Sequence, residues 1–263
     1  MTRRSVLLSL ALLSASPVSL HAQYVIGARD TLTARVDAVF RAFDRTDSPG
    51  CAVGVYRDGR ILYARGYGMA NLELGVPNTP RTVFDIGSIS KEFTATAVLL
   101  LAQEGKLSLS DDVRKYFPEM PAYASGVTIR HLLNHTSGIR DFLTLMGIAG
   151  RNSDGIADTV DFLRFITRSA EPNFPIGTRY LYSNSGYALL GQLVYRVSGK
   201  PLPQFLLQRV LGPLGMSDSR SLSDHTAIIP NRAQGYAPRA GGFAIASSQF
   251  DGSGGAGAMH VTV

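Results

Sequence analysis

The sequence predicts an α+β fold on three observations. Two short apolar runs, Cys51 to Tyr56 and Ile61 to Tyr67, flank Asp58-Gly59, a strong hairpin signal that starts an antiparallel sheet. From Phe84 onward the apolar residues recur at helical rather than alternating spacing. A chain of 263 residues with 45% hydrophobic and 17% charged content fits a globular protein with room for one large domain or two small ones.

Residues 1–22 read as an export signal: Arg3 and Arg4 form a basic head, Ser5 to Ala15 an apolar stretch, and Leu20-His21-Ala22 a cleavage site before Gln23. That stretch is too short to span a bilayer, and no cysteine follows it to carry a lipid, so no stable membrane anchor is expected after signal removal. Thr-Arg-Arg-Ser-Val-Leu-Leu resembles a twin-arginine export signal. The expectation is an exported protein, periplasmic or secreted, whose mature part is residues 23–263. Within it, residues 23–85 form a sheet-and-helix part and residues 86–263 a mostly helical part. The formal charge is +6; without Arg3 and Arg4, 24 basic residues face 20 acidic ones. No basic run stands out, so nucleic acid is a poor partner.

Thr31 caps a helix whose Leu32, Val36, Val39, Phe40 and Phe43 make one apolar stripe, and Asp47-Ser48-Pro49-Gly50 stops it. Cys51 is the only cysteine, which excludes an intrachain disulfide, and it is expected as a buried strand residue. The stretch Phe84 to Leu101 reads as a buried helix through Ala95, Val98, Leu99 and Leu101. Thr128 caps Ile129 to His135, and Asp158 or Thr159 starts a run through Phe162, Phe165 and Ile166. Tyr187 to Val197 and Phe205 to Leu211 follow, punctuated by Gly138, Gly177, Gly199 and Gly212-Pro213. From Ala237 onward the chain turns to Gly, Ala and Ser, including Gly252-Ser253-Gly254-Gly255. A two-stranded sheet with one helix is marginal by itself, so the sheet is expected to be incomplete at the C-terminus.

The chemistry concentrates in two places. Ser88 and Lys91 stand three residues apart, neighbours on one helix face, so the amine lies within reach of the hydroxyl. A serine is a weak nucleophile until a base takes its proton, and a lysine does so only where its surroundings hold it neutral. Tyr182-Ser183-Asn184 falls in a polar turn before a helix that starts near Ser185; Tyr182 can act as general base there, and the Asn184 amide can orient both the lysine and a substrate carbonyl. A Ser-x-x-Lys pair arises by chance about once in a chain of this size, and Tyr-x-Asn alone reads as a surface turn with a helix cap. His131 and His135 have the i, i+4 spacing of a zinc pair, but Leu132 stands where a metalloprotease helix carries Glu. Helix packing and capping explain them better, and no metal is expected. No Gly-x-Ser-x-Gly occurs, which disfavours an alpha/beta-hydrolase.

Three further strings follow: Thr128-Ile129-Arg130-His131-Leu132-Leu133-Asn134-His135-Thr136-Ser137-Gly138, then Pro213-Leu214-Gly215-Met216, then Arg232-Ala233-Gln234-Gly235-Tyr236. In this order, with Ser88-x-x-Lys91 and Tyr182-x-Asn184, the chain resembles the serine beta-lactamase and penicillin-binding protein superfamily, most closely its class C-like branch, from about Leu32 to the last residue. The resemblance implies an antiparallel sheet flanked by helices plus an all-helical region, with the active site between them. It also implies an acyl-enzyme mechanism without metal or cofactor: Ser88 the nucleophile, Lys91 its proton acceptor or tuner, Tyr182 the general base, and Asn184 the anchor for substrate and lysine. Either Lys91 or Tyr182 takes the first proton, and groups this close titrate as a pair. The substrate would be a small molecule or peptide, either a beta-lactam, a D-Ala-D-Ala peptide or a short ester. The alternative is a non-catalytic penicillin- or peptidoglycan-recognising protein, or an inactive truncated remnant. That alternative draws on one departure. The family's third motif, Lys or His followed by any residue and Gly, is absent, because neither the lysines at 91, 106, 115 and 200 nor the histidines at 21, 131, 135, 225 and 260 have glycine two positions later. The expectation is that the chain stops before that strand and leaves a sheet edge open, with the Ser88 amide as the one remaining oxyanion donor.

Overall fold

The computed structural model describes residues 31–150, 159–224, 226–246 and 254–263. The export signal, the Asp158 cap, His225 and Gly252-Ser253 lie outside them.

Helix α1 (Thr31–Phe40) and the 3-10 turn Arg41–Phe43 precede a hairpin of β1 (Cys51–Arg57) and β2 (Arg60–Tyr67). Its two-residue turn places Asp58 and Gly59 at φ 50° and 71°, the left-handed pair that a tight hairpin needs to match strand twist. The apolar stripe predicted for α1 docks the helix only in part: Leu32, Val36 and Phe40 are half-buried, whereas Val39 is 72% and Phe43 49% exposed. Asp37 adds a polar anchor, accepting from Tyr63 Oη at 2.5 Å and Tyr67 Oη at 2.7 Å and pairing with Arg65 at 2.8 Å. Arg65 also reaches Asp44 at 2.7 Å, and Phe40 stacks on Tyr67 with ring centroids 5.3 Å apart. The physical reason is that β2 turns buried hydroxyls and a guanidinium toward the helix, and buried polar groups must find partners. Cys51, expected to be buried, is half-buried.

Short strands β3 (Met69–Asn71), β4 (Val76–Pro77) and β5 (Phe84–Asp85) lead into a 3-10 turn, Gly87–Ile89, and then α2 (Ser90–Gln103). Ser88 therefore sits in the 3-10 turn, two residues ahead of the helix. Val98 and Leu101 are fully buried as expected, whereas Leu99 is 49% exposed and points away from the core. Next come α3 (Ile129–Leu133), α4 (Phe142–Ile148), α5 (Thr159–Thr167), α6 (Asn184–Ser198) and α7 (Leu202–Leu206), the last running on into a π-helical turn, Leu207–Leu211. Thr128 and His131 form a capping box at α3. Leu132, Phe142, Phe162, Ile166 and Leu189 all enter one core around α6, which is buried on most of its circumference.

The region read as mostly helical also contributes β6 (Arg220–Ser221), a hairpin of β7 (Tyr236–Arg239) and β8 (Gly242–Ile245), and β9 (Met259–Val261). At two to four residues these strands are too short to show a period. β9 lies between β5 and β6, antiparallel to both, which draws the preceding segment, 254–258, along α2 and α6.

Candidate active site

Four elements deliver the site. Asp85 accepts the Gly87 amide at 2.8 Å, and Gly87 at φ 50° turns the chain so that Ser88 is exposed while Lys91, three residues on, is only 6% exposed. The segment before α6 supplies Tyr182, and the first residue of α6 is Asn184. Asp141, which caps α4 by accepting the Thr144 amide, also accepts the Asn184 amide at 2.5 Å. Ser185 Oγ donates to the Arg140 carbonyl and accepts the Phe142 amide, so the start of α6 is pinned to the loop before α4.

All four residues singled out in the sequence meet. Tyr182 Oη lies 2.7 Å from Ser88 Oγ, and Lys91 Nζ lies 3.2 Å from Ser88 Oγ and 2.9 Å from Asn184 Oδ1. Lys91 Nζ also stands 4.8 Å from the centroid of the Tyr182 ring. A fifth partner was not read from the sequence: Lys91 donates to the Ala256 carbonyl at 2.7 Å. Burial pushes the lysine's pKa below its ordinary value, against the opposing pull of the Tyr182 hydroxyl and the Asp141 carboxylate.

The Ala256 carbonyl is held from both sides. On α2, Thr94 Oγ1 donates to the Gly255 carbonyl at 2.8 Å, and Ser90 Oγ accepts the amides of Ala258 and Met259 at 3.2 and 3.0 Å. On α6, Gly191 and Gly255 meet backbone to backbone: a Cβ on Gly255 would stand 2.0 Å from the Tyr187 carbonyl oxygen. A main-chain acceptor has no side-chain signature. The legible trace was the small-residue string Gly254-Gly255-Ala256-Gly257-Ala258, which a close backbone approach requires.

The supposed zinc pair separates. His131 Nδ1 lies 3.1 Å from the Thr128 amide in the capping box, while His135, past the end of α3 and at φ 57°, accepts the Ser183 amide on Nδ1 at 3.1 Å. Among the described residues no group of three or more His, Cys, Asp or Glu could hold a metal ion.

Comparison with known proteins identifies the chain's relatives. A family model described as Beta-lactamase matches residues 36–263. Penicillin-binding protein 4* of Bacillus subtilis (strain 168) is 35% identical over 68% of this chain and 39% of its own length; esterase EstB of Burkholderia gladioli is 39% identical over 72% of this chain and 51% of its own. The chain thus spans from about two fifths to half of the length of these curated relatives. The D-amino acid amidase of Ochrobactrum anthropi SV3, solved in complex with D-phenylalanine, matches with a TM-score of 0.76 at 27% identity, covering 89% of this chain and 68% of that one. With helices and antiparallel strands arranged as described and the family model covering most of the chain, the protein belongs to the beta-lactamase family, within the serine beta-lactamase and penicillin-binding protein superfamily.

Proposed function

We propose that the protein is a serine hydrolase that cleaves an amide or ester through an acyl-Ser88 intermediate, without metal or cofactor. The observation that carries this reading is the set of contacts made by Lys91. A neutral amine has two N–H bonds and one lone pair. Nζ lies within hydrogen-bond distance of Asn184 Oδ1, the Ala256 carbonyl and Ser88 Oγ at 2.9, 2.7 and 3.2 Å; once the amine is neutral, two N–H bonds serve the two carbonyl oxygens and its lone pair can take the Ser88 proton. Burial favours that neutral form. Ser88 Oγ bonds to the substrate carbonyl carbon as its proton passes to the Lys91–Tyr182 pair. The same proton then goes to the departing nitrogen or oxygen when the tetrahedral adduct collapses. Water then attacks the ester carbonyl as one of its protons passes to Tyr182 of the Lys91–Tyr182 pair, and the pair returns a proton to Ser88 Oγ as the bond between the acyl carbon and Oγ breaks, which releases the acid and restores Ser88.

Named relatives that include an esterase and an amidase support the amide-or-ester class, and a penicillin-binding relative supports a beta-lactam substrate within it; a D-Ala-D-Ala peptide stays a candidate from the family resemblance. The test is mass spectrometry after incubation with a fluorescent penicillin, alongside nitrophenol release from p-nitrophenyl acetate. An adduct on the peptide containing Ser88 that disappears in Ser88→Ala is expected. No adduct and no nitrophenol would sink the enzyme reading. For the location we propose export through residues 1–22, supported by the basic head and apolar stretch of the sequence; N-terminal sequencing of the mature chain from a periplasmic extract should begin near Gln23.

A further inference from the structure

His135 clamps the segment that carries Tyr182 from both sides. Its carbonyl accepts the Leu181 amide at 3.0 Å and its Nδ1 accepts the Ser183 amide at 3.1 Å, so the residues on either flank of Tyr182 hang from one histidine. The imidazole also lies against the Tyr182 ring, with centroids 4.6 Å apart and planes tilted by 32°. The ring of Tyr187 sits 5.1 Å away and that of Tyr180 meets it edge-on at 5.8 Å. The residue adopts φ 57° to make both bonds, a left-handed conformation that few non-glycine residues adopt, histidine among the more frequent of them.

Because a main-chain amide can only donate, Nδ1 must be an acceptor and the ring proton must reside on Nε2. A protonated imidazole carries a hydrogen on each nitrogen and would set donor against donor at Ser183. We propose that His135, in its neutral Nε2–H form, is a positioning residue that holds the Tyr182 hydroxyl on Ser88, and that its protonation releases the clamp and sets the acid limit of activity. This inference rests on the assignment of Tyr182 as the base. Among the described residues, the charged and titratable groups that face the imidazole are Lys91 on α2, Asp141 at the cap of α4, Tyr180 and Tyr182 on the clamped segment, and Tyr187 on α6. Burial first, and then Lys91 when it carries its charge, push the His135 pKa below its ordinary value, with the Asp141 carboxylate acting the other way. The clamp is therefore intact at neutral pH and opens only in acid.

Two substitutions separate the parts. His135→Gly accepts the left-handed backbone but removes the ring and the acceptor; His135→Asn accepts the same backbone and keeps an acceptor oxygen that does not titrate. Acylation kinetics between about pH 4.5 and 8, spanning the ordinary histidine pKa of about 6.5, are measured on the full chain, together with hydrogen exchange at the Ser183 amide and 15N titration of the imidazole. In the parent we expect the acylation rate and Ser183 protection to fall together as the imidazole protonates. His135→Gly should lower kcat by about 10–100-fold, the scale of an ångström's misplacement, with KM changed little. His135→Asn should recover most of the rate at neutral pH and lose the acid inflection. Parent-like kcat in His135→Gly, or an unchanged inflection in His135→Asn, would overturn the proposal. If the parent acylates nothing, the assignment of Ser88 fails separately, and the clamp is decided by Ser183 exchange: protection that ignores imidazole titration refutes it.

Discussion

Replacing Gly255 with alanine should unseat the Ala256 carbonyl from Lys91. Gly255 is not among the residues at positive φ, so the backbone itself tolerates a side chain; the space does not. A Cβ would stand 2.0 Å from the Tyr187 carbonyl oxygen and 2.9 Å from the Gly191 amide nitrogen, where relaxed heavy-atom contacts are about 3.5 Å. Segment 254–258 must then retreat from α6 by roughly 1 Å or more, and the Lys91–Ala256 bond, 2.7 Å long, would open past the ~3.2 Å limit of a good N–H···O bond. Overpacking costs about 1–3 kcal/mol, and a buried acceptor left unpaired costs about another 1–3 kcal/mol. Together they predict a loss of about 2–6 kcal/mol, or roughly 4–24 °C in Tm for a chain of this size, with acylation slower by ~10²-fold. Differential scanning calorimetry and labelling rates with a fluorescent penicillin measure both. Gly147→Ala is the control: nothing lies within 4 Å of its Cβ in α4, so it should gain about 0.5–1 kcal/mol. A Gly255→Ala protein that melts and labels with the parent would show that the contact between Gly191 and Gly255 does not seat the carbonyl.

Lys91→Ala or Tyr182→Phe should slow acylation by ~10²–10⁴-fold while circular dichroism shows the fold retained. Because the Lys91 pKa is lowered on folding, the unfolded chain binds more protons between that value and about 10.4; the parent should therefore gain stability relative to Lys91→Met as pH rises through this window, and parallel denaturant titrations at pH 7 and 10 give the sign. Asp111, held at about 2 by the Ser108 amide first and then by Tyr116 and Lys115, contributes stability above the unfolded pKa of about 3.9. Asp111→Asn should lower Tm at pH 7, and the difference should fade as pH falls toward 2. Asp37→Ala strands the buried Arg65 guanidinium with Asp44 alone and should cost about 3–5 kcal/mol, read as a shift of the urea midpoint; a shift under ~1 kcal/mol would mean that water enters to solvate Arg65.

The side-chain part of the site was legible because each member sits in a local string: Ser88 and Lys91 share a turn, and Tyr182 and Asn184 share a helix entry. What stayed hidden acts through the main chain or through tertiary approach. Ala256 contributes only a carbonyl, and His135, visible in its string, contributes through a ring nitrogen and a left-handed backbone that no spacing rule encodes. The fold divided the same way. The hairpin at Asp58-Gly59 and the apolar faces of α2, α5 and α6 follow from turn chemistry and period. The docking of α1 through Asp37 does not, since a single aspartate on a helix gives no hint that two tyrosines and an arginine wait opposite. The two- to four-residue strands β3 to β9 are fixed by neighbours rather than by their own residues.

The distance in sequence between Lys91 and its acceptors gives the site an order of assembly. Ser88 is three positions from Lys91, Asn184 is 93 away and Ala256 is 165 away. Contacts between remote positions pay loop-closure entropy before they return any stability, so they tend to form late. On a ribosome the helical core around α6 can begin to pack before residue 256 has been made. Until that segment arrives, one N–H of the lysine has only water to face and the amine is not yet desolvated. The nucleophile should therefore stay chemically quiet during synthesis and become reactive only when the last-made part of the site closes over Lys91. Pulse labelling of nascent chains stalled before and after residue 256 would time that moment.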